Sequence, residues 1–96
     1  MTQESHHAPN RDLLLANHEF PGEYVVKAFG PNDEGFRRGV EAAVGKVMGP
    51  RVHYAERTTR SGGRLCITAR LDAQSVDEVI SVYEELHLVS QLKLIL

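Results

Sequence analysis

From Glu19 to Leu96 the spacing of apolar residues switches repeatedly between the two-residue period of a strand and the three-to-four-residue period of a helix. Tyr24 to Phe29 (Tyr-Val-Val-Lys-Ala-Phe) is β-rich and ends at Gly30-Pro31, which predicts a strand with Tyr24, Val26 and Ala28 on one face and Val25, Lys27 and Phe29 on the other. Phe36, Val40, Ala43, Val44, Val47 and Met48 then recur at helical spacing, with Asn32 or Asp33 as the N-cap and Gly49-Pro50 as the stop. Arg51–Thr58 and Arg64–Leu71 alternate on either side of Arg60-Ser61-Gly62-Gly63, the composition of a hairpin turn. Ser75-Val76-Asp77-Glu78 reads as a capping box in which Ser75 accepts from the Glu78 amide; the helix it opens turns Val76, Val79, Ile80, Tyr83 and Leu86 to one side. The terminal Gln91–Leu96 alternates again, which predicts Leu92, Leu94 and Leu96 pointing inward.

The order β-α-β-β-α-β is that of an α+β, ferredoxin-like sandwich. Right-handed crossovers put the first and third strands in the middle of a four-stranded antiparallel sheet, order 4-1-3-2, and both amphipathic helices must cover one face of it. With Leu65, Ile67, Ala69 and Leu71 turned to the helices, the opposite face is expected to stay open. It would present Val25, Lys27, Phe29, Arg64, Cys66, Thr68, Arg70, Lys93 and Ile95, a mixture of apolar and basic side chains with no carboxylate.

Ninety-six residues with 42% apolar content suit one core, expected over residues 13–96, preceded by a polar, mobile tail over 1–12. Leu13, Leu14 and Leu15 interrupt that polarity and are expected to pack a short turn against the domain edge. The net charge of −2 argues against a general nucleic-acid coat. Charge is unevenly placed: Arg51 to Arg70 holds five arginines against Glu56 alone, whereas Asp72 to Leu96 holds five acids against Lys93. A lone cysteine, Cys66, closes no internal disulfide, the N-terminus lacks the form of a secretory signal, and no run reaches membrane-spanning length, so a cytoplasmic protein is expected.

Specific chemistries find little support. Metal carriers of this fold hold soft ions with paired cysteines on the first loop, but here the loop, Gly30 to Gly35, has none. The histidines do not converge either: His6 and His7 fall in the tail and His18, His53 and His87 on separate elements, so no metal site and no cofactor are expected. Base stacking on the sheet would need aromatic residues on both central strands, and Phe29 stands alone. The segment Gly30 to Arg38 resembles the phosphate cradle of acylphosphatases, yet Asp33 and Glu34 would repel phosphate and no asparagine stands on the second strand or its hairpin to position water; no catalytic residue is assigned and no enzymatic activity is expected. The hairpin carries Arg57, Arg60 and Arg64, whose guanidinium forks, with turn amides, could clamp a small carboxylate or phosphate; the plainer reading is a solvated turn that keeps an edge strand from aggregating.

Glu19-Phe20-Pro21, the strand Val26-Lys27-Ala28-Phe29-Gly30, the turn Ser61-Gly62-Gly63-Arg64 and Val82-Tyr83-Glu84-Glu85-Leu86 with the terminal Leu-Ile-Leu together resemble the YbeD-like family of small bacterial proteins of unknown function. The resemblance spans about residues 13–96 and implies a ferredoxin-like fold similar to ACT regulatory domains, with no catalytic residues and a loose association with lipoyl attachment in some members. Arg64-Leu65 stands where an aromatic commonly follows the turn in that family. The expected function is a non-enzymatic regulatory or interaction module. Its interface would be Val25, Lys27, Phe29, Arg64, Cys66, Arg70, Lys93 and Ile95, and its mate a second copy or a protein partner, neither nucleic acid nor membrane. The alternative is a sensor of small anions at Arg57, Arg60 and Arg64.

Overall fold

The computed structural model describes residues 9–96, so most of the expected tail lies outside the described residues. The elements run α1 (Arg11–Asn17), β1 (Gly22–Pro31), α2 (Glu34–Met48), β2 (Val52–Thr58), β3 (Arg64–Ala73), α3 (Val76–Leu86) and β4 (Leu94–Ile95). The sheet order is β2-β3-β1-β4, all neighbours antiparallel, which places β1 and β3 at the centre and makes this an α+β, ferredoxin-like fold.

Where the leucine triplet predicts a turn, α1 forms a full helix that begins at Arg11. Asn10 caps it: its side-chain oxygen accepts from the Asp12 and Leu13 amides at 2.8 and 3.2 Å. Of the three leucines only Leu14 is buried, in a small cluster with Ala73, Val76 and Val79 that ties α1 to the start of α3, and Arg11 reaches Asp77 across the same contact.

Asp33 is the cap of α2, accepting from the Phe36 amide at 2.7 Å. Phe36, Val40, Ala43, Val44 and Met48 pack on Val26, Ala28, Leu65, Ile67, Ala69 and Leu71 from the sheet, with Val82 and Leu86 of α3 completing the core. Burying each of the larger side chains contributes about 1.5–3 kcal/mol, so this single layer holds the fold. Val82, unassigned by the helical period, is fully buried; Ile80 and Tyr83 lie at the margin. The Tyr83 hydroxyl meets Tyr24 at 3.2 Å, and burial together with that contact pushes its pKa above the usual tyrosine range.

The capping box at Ser75 is replaced by another arrangement. Ser75 makes no side-chain cap bond, while the Glu78 carboxylate accepts from the Gln74 amide at 2.7 Å and from Arg51 at 3.1 and 2.5 Å. Arg51 thereby joins the turn after α2 to the head of α3, and the carboxylate's reach is spent on a charged donor in place of its own cap.

The last strand departs furthest from expectation. Only Leu94 and Ile95 pair with β1, as Phe29↔Leu94 and Ala28↔Ile95. Since Ala28 faces the helices, Ile95 does too, and it packs on the core beside Leu92. Leu94 and Leu96 instead lie half or more exposed. Strict alternation fails because the strand is short and its entry is a turn with Gln91 at φ 70°; the turn delivers Leu92 to the core before pairing begins. A one-residue change of register exchanges the faces of every later side chain.

Candidate functional site

The helices α2 and α3 cover one face of the sheet, and no element of the described residues covers the other. Cross-strand register arranges that open face in rows. At the hairpin end Phe29 is opposite Leu94 on one side and Cys66 on the other, and Cys66 is opposite Arg57. The next row holds Lys27, Thr68 and Ala55, with Leu96 exchanging backbone bonds with Lys27 at 3.0 and 2.9 Å. Val25, Arg70 and His53 follow, then Glu23 and Asp72.

The expected interface residues Val25, Lys27, Phe29, Arg64, Cys66 and Arg70 thus share this face. Ile95 does not: its place is taken by Leu94 and Leu96, for the register reason given above. Lys93 is exposed at the sheet edge, its amide donating to the Phe29 carbonyl at 2.8 Å, and its side chain borders the same end of the face. The face also carries two carboxylates, against expectation, because β1 and β3 each extend further than their β-rich cores. Glu23 reaches Arg70 at 3.8 Å, so the acidic end is separated from the basic one by the length of the strand.

Two hollows mark the basic end. One of about 270 Å³ is lined by Phe29, Leu65, Leu94, Arg57, Arg64 and Lys93 among others; a second, of about 400 Å³, runs on past Lys27, Thr68 and Leu96. They share Phe29, Arg57 and Cys66, which makes them one groove in two parts. A hollow of about 490 Å³ lies elsewhere, between α2 and the turn after α3, but its cation, Lys46, is paired with Glu85 at 3.3 Å and it gathers no chemistry.

The pairing of charges separates the two sides of the molecule. Of the eleven lysines and arginines, Arg11, Arg37, Arg38, Lys46, Arg51 and Arg70 each meet a carboxylate. Lys27, Arg57, Arg60, Arg64 and Lys93 form no ion pair among the described residues, and they stand on the open face, its edge or the hairpin that ends it.

The hairpin itself is less available than its composition suggests. Gly62, at φ 80°, donates its amide to the Thr59 carbonyl at 2.8 Å, Thr59 donates to Arg64 at 3.0 Å, and the Arg64 amide donates to the Thr59 hydroxyl at 3.2 Å. Asn32 holds the turn from below through the carbonyls of Gly62 and Gly63. These bonds leave the expected triad as Arg57 and Arg64 together in the smaller hollow, with Arg60 outside its lining. At the head of α2, Arg37 donates to Glu56 at 3.0 Å and to the Asn32 side-chain oxygen at 2.7 Å, and the hydrogen bond to Glu56 holds its guanidinium more firmly protonated. Asp33 occupies the cap where an anion would sit.

Among the described residues no three histidine, cysteine, aspartate or glutamate side chains converge, and no helix is long and apolar enough to cross a membrane. No curated protein and no solved structure matches the chain significantly. A family model does, over residues 16–96, from the end of α1 through β4, and on that match the chain belongs to DUF493, a family of proteins of unknown function.

Proposed function

We propose that this protein is a non-enzymatic interaction module that docks a protein partner on its open sheet face. One observation carries the reading: apolar side chains occupy the face that the helices leave bare, and every lysine or arginine without an ion pair among the described residues lies on that face, its edge or the hairpin that ends it. Val25, Leu94 and Leu96 are 40, 50 and 63% exposed, and half-buried Phe29 lies among them. An apolar centre within a charged rim is how protein interfaces are commonly built, and unpaired cations cost no broken bond when a partner's carboxylates arrive. With five cations on or beside the face that form no ion pair among the described residues, against Glu23 and Asp72, it favours an acidic partner; a second copy can dock only by setting the acidic end of one face against the basic end of the other. The resemblance to YbeD-like proteins and ACT domains supports a regulatory role in a bacterial cytoplasm, where a free Cys66 persists.

Replacing Phe29 by Ser removes the anchor while leaving the helix-covered core untouched. Partner capture, or the sedimentation coefficient if the mate is a second copy, is expected to fall with an unchanged circular dichroism spectrum. If neither changes, the open face is not the interface.

A further inference from the structure

The smaller hollow carries an inference beyond protein docking. We propose that it binds a small apolar carboxylate, a single acid group on a compact hydrocarbon or aromatic body. Three separate segments bring a cation to it: Arg57 from β2, Arg64 from β3 and Lys93 from the residue before β4. None of these has a carboxylate partner among the described residues, and no acidic side chain lines the hollow, so like charges are held together without a counter-ion. An anion relieves that repulsion, and the two guanidinium forks match the planar, two-oxygen shape of a carboxylate.

The remaining walls set the rest of the ligand. Phe29 and Leu94 provide an apolar surface beneath the cations, which suits a hydrocarbon body. A phosphate group is less well served, because the turn amides that would cradle it, those of Thr59, Gly62 and Arg64, are already bonded within the hairpin. The volume, about 270 Å³, is just below the usual range for small-molecule pockets and limits the ligand to a compact acid. Lys93 replaces Arg60 in the cation set, a substitution that only the pairing of β4 with β1 brings about.

Isothermal titration calorimetry of the intact chain with phenylacetate and with 4-methylpentanoate tests this directly. Saturable binding is expected at millimolar concentration, with phenylacetamide and inorganic phosphate each weaker by about tenfold or more. Arg64→Ala and Lys93→Ala are each expected to weaken phenylacetate by about tenfold, the scale of one charge-assisted bond, and Leu94→Asp to abolish binding through repulsion. Arg60→Ala is expected to change nothing. All four positions are exposed, so folding is checked by circular dichroism and should be retained. The proposal is overturned if neither acid binds, if phosphate or the amide binds as tightly as phenylacetate, or if Arg60→Ala weakens binding as much as Arg64→Ala does. Loss of partner capture in Phe29→Ser with carboxylate binding absent would leave the docking surface standing and remove only the ligand.

Discussion

Ile67 and Thr68 are adjacent in sequence and belong to two different environments. Ile67 is 1% exposed, under α2 and beside Val26, Ala28 and Leu71; Thr68 stands half-buried on the open face between Lys27 and Ala55. The whole sheet repeats this contrast. On the helix side the central strands β1 and β3 are consumed by packing, and cations near that layer, such as Arg51 and Arg37, are closed on carboxylates. On the other side, apolar groups remain wet and, among the described residues, cations form no ion pair except where Glu23 meets Arg70. The helix side accounts for stability. The open side contributes little to it, and that freedom is what makes its composition informative about function.

The largest test of the contrast is the pair Ile67→Ala and Thr68→Ala, compared by urea unfolding. The first removes a fully buried side chain and is expected to cost about 2–5 kcal/mol. The second should change stability by about 0.5 kcal/mol or less, and a comparable loss at both positions would break the division into two faces. Gly62→Ala comes next: there is room for the methyl group, but φ 80° strains any L side chain, so about 1–2 kcal/mol is expected in the same measurement.

The acid limb of stability sharpens the picture on the packed side. The hydrogen bond from Arg51 holds the Glu78 carboxyl below its ordinary value of 4.5. A depressed folded-state pKa means stability that is present above about pH 4.5 and lost as pH falls through the lower, folded value. Glu78→Gln should therefore lower stability at pH 7 and flatten its decline under acid, read from unfolding midpoints across that interval; an unaltered decline would show that the pair is not coupled to folding. The smallest effect is expected from Arg57→Ala, which removes an unpaired cation beside others. Its melting temperature should stay the same or rise slightly, and a clear fall would mean that the cation supports the fold.

The alternation of Val26, Ala28, Leu65, Ile67 and Leu71 and the helical recurrence of Phe36, Val40 and Val44 made the sandwich legible along the chain. These are local periods, and one buried layer leaves each element a single workable orientation. The hairpin followed from its glycines for the same local reason. The helix at Arg11–Asn17 was hidden behind a polar segment, although Asn10 ahead of the leucines is the signal that marks its start. The candidate site was half visible: Phe29, Cys66, Arg57 and Arg64 follow from strand parity, whereas Glu23 and Asp72 depend on how far β1 and β3 extend, and Leu94 and Leu96 on the turn that enters β4.

Sequence alone determined which side of β1 and β3 meets the helices, because a two-residue period admits no other choice once one face is apolar. Tertiary structure decided how β4 is entered, and with it that Ile95 goes inward and Leu94 outward beside Phe29. It also decided which cations find carboxylates, since Arg51 and Glu78, or Arg37 and Glu56, lie far apart along the chain and meet only when the layers close. Periodicity encodes faces; pairing across elements depends on distances that no local pattern contains.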